Sequence, residues 1–599
     1  MLGKRKTIFN MIHMNAVDYS LADFERDAQK AARAGATHIM ISQVEKSRWI
    51  WEADRSDPYP NWGMLNLAIF KAVVPPELKG FLPEDYAARN LATLKARSTI
   101  LKQYGLKGAI QVCEPFYLPE AVFRAHPDWR GPRCEHPRRA RNVYYSPCAD
   151  HPEVLGMYRR AVAELLRQVE VDYIFIHTND SGSGLCWSSG LYPGANGPAW
   201  CQHRAPAERI IGFLDAFMQG GRDAGREIDV EINSNIGFKE PEHAMDAVWS
   251  ALKPHMAVNF RNHQGIPQTS VVDVGYEFSI APVKNIPLVV GFLEKLEAAH
   301  AAGTEVASLI LAESDHDEYL RVCEAFEQAP TCGLRDRAAL LWGVAAQIAG
   351  EAAAGDLVEV WHKIQTGLLH FTDTNIEGLI SCSVNQRWIN RPFVLFPGEL
   401  TPEERDYYRA FQFQAVDEAQ ANDLLNIQCT TFIRGYYAIF LASKALNRAM
   451  QANQAAIDIL KRIAGGLAGQ PPEWAALLAD RLRLLNCFYR NALHAMKFQE
   501  IVDNTDYTRK PEISPRWPLD AEPSLLDYEA ISRAEIDNTF EIIRLIEGRE
   551  RQMLILAPTH EQEDIFLFSP RLVEQLRKKT YIMLDHFLDG KRLFVTHNH

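Results

Sequence analysis

Short apolar runs alternate with amphipathic, helix-length segments through the first half of the chain, and the alternation stops near residue 325. Runs at 8–13 (IFNMIH), 38–42 (HIMIS), 108–113 (GAIQVC), 172–178 (DYIFIHT), 229–233 (DVEIN) and 256–260 (MAVNF) read as strands, with one or two more inside 276–290. Between them, 21–34, 86–104, 152–169, 205–225 and 241–253 read as helices. In the first of these Ser20 is a cap, Phe24 and Ala28 share a face, and Gly35 follows the last turn where a C-cap glycine belongs. Repeated strand–helix units imply parallel strands covered by helices. Seven or eight of them fit a (β/α)8 barrel better than an open doubly wound sheet, and no Gly-x-Gly-x-x-Gly opens the first helix.

Beyond that point 334–354, 357–369, 404–425, 430–465, 472–500 and 530–552 read as long helices with little β character. The expected fold class is α/β: a (β/α)8 TIM barrel over 1–325, followed by a mainly α-helical domain over 326–599 packed on it. The connections 46–85 and 114–151 are long for βα loops, and such insertions usually shape a pocket at the carboxyl end of a sheet.

Composition narrows the class. A 47% hydrophobic, 23% charged chain of 599 residues is ordinary for a globular protein and too long for one core. Its net charge of −12 disfavours nucleic acid as a partner. No apolar run reaches membrane-spanning length and no secretory leader pattern opens the chain. Ten cysteines are too sparse for a disulfide scaffold. The expectation is a cytoplasmic enzyme, without nucleic acid or membrane as partner, and with homo-oligomerisation left open.

Candidate chemistry gathers after the strands. The run Val171–Trp187 passes from an apolar strand into His177, Asn179 and Asp180, then a glycine-rich loop carrying Trp187. Asp180 is the leading general acid, since desolvation at a strand end raises a carboxyl group; the competing role is a turn cap before Ser-Gly. Glu114 and Glu231 are the candidates for a second carboxylate. Glu231, Asn233 and Asn235 alternate, which places all three on one face of their strand. Arg261 and His263 end the sixth strand, His13 and Asn15 follow the first, and Glu45 and Trp49 follow the second. These fit a ring of substrate-binding groups. Arg387 and Trp388 either complete the pocket or staple the two domains together, the second being favoured. Cys186, Cys201-x-His203, Cys134-x-His136 and Cys148-x-x-His151 lack paired zinc-site spacing, so no metal and no cofactor is expected.

The segment His177-Thr-Asn-Asp180-Ser-Gly-Ser-Gly, with Cys186-Trp187 and Tyr192-Pro-Gly-x-x-Gly-Pro198, resembles the loop after the fourth strand of alpha-glucuronidase-type and related barrel glycoside hydrolases. The resemblance implies that a carboxylic acid on this loop, here Asp180, protonates the glycosidic oxygen; many members carry Asn-Glu where this chain has Asn179-Asp180. The expected function is glycoside hydrolysis by paired carboxylates, with a glycoside or oligosaccharide as the small carbohydrate substrate. Another barrel enzyme on a sugar-like substrate (a lyase, isomerase or metal-assisted hydrolase) and a non-catalytic carbohydrate-binding protein are the alternatives.

Overall fold

The computed structural model describes residues 6–12, 19–44, 67–133, 145–178, 204–232, 242–256, 260–262, 269–274, 283–312, 317–372, 388–411, 436–466, 472–505, 525–557, 559–563 and 568–595. Two compact units interleave along the chain. One comprises Met1–Asp273, Lys295–Ala312 and Cys323–Pro330, the other Val274–Glu294, Glu313–Val322 and Thr331–His599.

The first unit is built on strands β1 (Lys6–Ile12), β2 (His38–Met40), β3 (Lys107–Cys113), β6 (Val171–His177), β7 (Asp229–Ile232), β8 (Phe260–Asn262), β9 (Thr269–Val274) and β10 (Val306–Ala312), with a separate two-stranded piece from β4 (Arg130–Arg133) and β5 (Tyr145–Pro147). The main sheet runs β8-β7-β6-β3-β2-β1-β10-β9. Six neighbouring pairs in it are parallel. Among the described residues no ladder joins β8 to β9, so the expected barrel is seen as an eight-stranded α/β sheet, parallel from β8 through β10, without shown closure.

That sheet curls strongly. Lys6 on β1 pairs with Asp229 on β7 at 3.0 Å, although β2, β3 and β6 lie between them. Flat strands spaced about 4.8 Å apart would separate β1 and β7 by roughly 19 Å, beyond a lysine's reach. Inside the curl, Ile8, Met40, Ala109, Tyr173 and Val306 form one apolar layer with Phe175 against it. The opposite face buries Ile110, Val112, Ile174, Ile176, Val230 and Ile232.

Local sequence accounts for the frame. Ser20 and Asp23 form a reciprocal capping box on helix Leu21–Arg33, and Gly35 takes φ 83° just past its end. Where β3 meets β6, Gly108 faces Val171 and Ala109 faces Tyr173, so Asp172 is the extra residue of a bulge. A β-carbon on Gly108 would stand 2.7 Å from the Glu170 carbonyl oxygen, which is why glycine occupies this close approach. Helix Pro152–Gln168 packs on helix Pro206–Asp223, with Tyr158 edge-on to Phe213 at 5.2 Å.

The second unit is a stack of helices. Glu351–Thr372 packs on Tyr436–Gly466, which packs on Glu473–Thr505, then Leu525–Ile546, then Leu572–Asp585. The two helices expected over 334–354 and 357–369 are Leu334–Ala349 and Glu351–Thr372, their break lying at Gly350, whose φ is 80°. Its core holds a buried polar group. Lys579 and Asn491 both donate to Glu535 Oε1, and His494 Nδ1 lies 2.7 Å from Oε2. Burial works to raise the Glu535 carboxyl, and Lys579 and His494 outweigh it, holding it down to about 2. Among the described residues no single helix is long and apolar enough to cross a membrane.

Candidate active site

The inward face of the parallel strands changes character from one end to the other. At the amino end Asp172, turned in by the bulge, lies 2.7 Å from His38 Nε2, 2.8 Å from Lys107 and 3.8 Å from Lys6. Burial would raise the Asp172 carboxyl, but these partners outweigh it and hold it well below the usual carboxylate range. Above this ionic layer sits the apolar layer, and above that the inward groups are polar again. Asn10 donates to Gln111 at 3.2 Å, crossing over β2. On the other flank Tyr173 donates its hydroxyl to Glu231 Oε2. Glu231 is 1% exposed, stands opposite Phe175 on β6 and opposite Arg261 on β8, and shares the interior with the apolar layer.

His177 ends β6 on the same inward row as Tyr173 and Phe175, opposite Cys113, its ring edge-on to Phe175 at 6.2 Å. The chain continues from it through Thr178 to Asn179 and Asp180. Along the inward face Tyr173 therefore lies lowest, Glu231 stands one position above it beside Phe175, and His177 follows at the carboxyl end of β6, the end at which parallel sheets carry their chemistry.

Glu114 stands elsewhere. Alternation along β3 turns Ala109, Gln111 and Cys113 inward, so Glu114 follows Ile110 and Val112 to the outer, helix-covered side. Its Oε1 accepts from the Ile69 amide at 2.6 Å. Oε2 accepts from the Phe116 amide at 3.0 Å and the Tyr158 hydroxyl at 2.6 Å. Burial pushes its carboxyl up to about 7, with the three donors and nearby Lys71 pulling the other way. Glu114 thus lies on the other side of the sheet from Glu231. Three internal donors make Glu114 an anchor between the end of β3, the 67–71 segment and helix Pro152–Gln168.

The other sequence candidates divide sharply. Trp388 has no exposed surface and its carbonyl accepts from Asn491 at 3.2 Å, so it is a core residue of the helical unit with no face to offer a substrate. Arg261 lies on β8, placed by backbone register alone. His13, Asn15, Glu45, Trp49, Asn179, Asp180, Trp187, Asn233, His263 and Arg387 lie outside the described residues.

Sequence reasoning did not single out Tyr173, Asn10, Gln111 or Arg97. Alternation from His177 back through Phe175 was the available signal for Tyr173. Arg97, 3% exposed, donates to the carbonyls of Ile41 and Gln43 and fixes the chain as it leaves β2. Among the described residues no group of three or more His, Cys, Asp or Glu is arranged to hold a metal ion.

No protein-family model matches the chain, and no curated protein is significantly similar to it in sequence. Among solved structures it is similar to a GH138 enzyme targeting pectin rhamnogalacturonan II. The TM-score is 0.54 at 8% identity, over 98% of this chain and 68% of that one. It also matches the GH36 alpha-galactosidase AgaA of Geobacillus stearothermophilus (TM-score 0.30, 11% identity, 59% of this chain and 42% of that one). A third match is the galactosidase domain of the alpha-galactosidase-sucrose kinase AgaSK (TM-score 0.29, 14% identity, 51% and 38%). These structural neighbours are glycoside hydrolases. At 8% identity the first likeness establishes the fold, and the two lower scores carry no argument.

Proposed function

We propose that the protein is a glycoside hydrolase in which Asp180 protonates the leaving oxygen and Glu231 is the second carboxylate. The observation that carries this reading is Glu231, a buried carboxylate on the inward face beside the strand that leads into Asp180. With Glu114 turned to the outer side, Glu231 is the partner that remains of the two sequence candidates. The glycosidic C–O bond breaks as the Asp180 proton passes to the leaving oxygen. Glu231 either attacks the anomeric carbon, for later release by water, or removes a proton from the attacking water. In this reading His177, at the end of the neighbouring strand β6, hydrogen-bonds a sugar hydroxyl. The likeness to alpha-glucuronidases rests on the 177–198 motif alone. The fold similarity to an enzyme targeting pectin rhamnogalacturonan II makes pectic oligosaccharides the first substrates to assay.

The test is Asp180→Asn on paired substrates. Loss of general-acid assistance costs about 10²–10⁴-fold on a poor leaving group and much less on an activated aryl glycoside. Equal loss on both refutes the acid role, and unchanged activity removes Asp180 from the mechanism.

A further inference from the structure

We propose that Tyr173 is a positioning residue for Glu231, itself set from below by Lys6; the inference rests on the catalytic reading of Glu231. Both residues are buried, Tyr173 at 3% and Glu231 at 1% exposure, and the phenol hydroxyl donates to Oε2 of the carboxylate. Tyr173 stands opposite Asp229, one inward position below Glu231. The bulge at Asp172 sets the register that brings it there. Lys6 Nζ lies 5.8 Å from the centre of the Tyr173 ring, held by Asp229 at 3.0 Å and Asp172 at 3.8 Å.

This column has a chemical consequence. A cation against the ring draws density from the phenol and makes its O–H a better donor. A strong donor to one carboxylate oxygen fixes the plane of the group, and a carboxylate stripped of such a donor holds its negative charge less well. Among the described residues, the charged or titratable groups near Glu231 include Asp229 on its own strand, Tyr173 and His177 on β6 and Lys6 reaching across from β1, and Arg261 is opposite it in backbone register on β8. The Tyr173 hydroxyl reaches the carboxylate directly by its hydrogen bond.

The experiment compares wild type, Tyr173→Phe, and protein with 3,5-difluorotyrosine incorporated at position 173. In Tyr173→Phe, kcat falls about 10–100-fold with KM changed less than about threefold, the signature of a lost orienting contact. The acidic limb of the kcat/KM profile moves up by about one pH unit, and in the difluorotyrosine protein, a stronger donor, it moves down. Limbs that stay at the wild-type position in both, or a raised KM with unchanged kcat, overturn the proposal. Infrared difference spectra of each protein against its Glu231→Gln counterpart follow protonation of this carboxyl without substrate. If wild type hydrolyses no glycoside, the proposed function fails, and the spectra still decide the pair: an unmoved midpoint in Tyr173→Phe refutes it. Should that variant not fold, the difluorotyrosine protein, which keeps the hydroxyl, carries the test.

Discussion

Replacing Glu114 with Gln tests whether this carboxylate is an anchor. Its carboxyl is raised from an ordinary 4.5 to about 7, burial being the largest cause. A raised carboxyl binds its proton more tightly in the folded state. Its contribution to stability is fully present below pH 4.5 and is lost as pH rises through about 7. The shift corresponds to about 3 kcal/mol across that window. Gln keeps one acceptor oxygen, but its amide must face the Ile69 or the Phe116 N–H, costing about 1–3 kcal/mol. The variant is therefore less stable than wild type at pH 5, and towards pH 8 the gap closes or reverses, because wild type alone loses about 2.5 kcal/mol in ionising the group. Hydrogen exchange in β3 and helix Pro152–Gln168, measured from pH 5 to 8 with correction for intrinsic rates, reads this unit separately from the helical one. A gap that stays constant, or widens as pH rises, refutes the reasoning.

Three further predictions concern other parts of the fold. Asp172→Asn removes the centre of the His38–Lys107–Lys6 cluster and costs about 2 kcal/mol at pH 7. Because the Asp172 carboxyl is depressed, that cost shrinks as pH falls below the ordinary carboxylate range, which acid denaturation of both proteins checks. Lys579→Met strands the buried Glu535 charge and lowers stability of the helical unit by about 3–5 kcal/mol, while Lys579→Met with Glu535→Gln recovers part of it in urea titrations. Cys113, Cys148, Cys323, Cys332 and Cys487 are free thiols, and the proposed cytoplasmic location extends this to all ten cysteines; fewer than eight reacting in denatured, unreduced protein counts against it.

Most of the sheet was legible because strand periodicity and helix caps are local signals. The Ser20 cap, Gly35 and the runs at 8–13, 108–113, 172–178 and 229–233 all fall on observed features, within two residues at the ends. β10 was not singled out, since VASLILA is nearly all apolar and carries no alternation to separate a buried strand from a helix. The sixth strand lies later than expected, at Phe260–Asn262, because helix Glu242–Met256 continues through Pro254. The side on which Glu114 lies was readable from the alternation of GAIQVC, which turns Ala109, Gln111 and Cys113 to one face. The Tyr173–Glu231 bond was not readable. It depends on the bulge at Asp172, which exists only once β3 and β6 are paired.

The central claim is that Glu231 is a catalytic carboxylate of a glycoside hydrolase. Its most direct test is product release from a panel of pectic oligosaccharides and aryl glycosides by wild type and by Glu231→Gln. Gln preserves the side chain's size, so folding checked by circular dichroism should be unchanged. Wild type should cleave at least one member of the panel, and the variant should be about 10²–10⁴-fold slower on it. A folded Glu231→Gln protein that cleaves as fast as wild type would contradict the account.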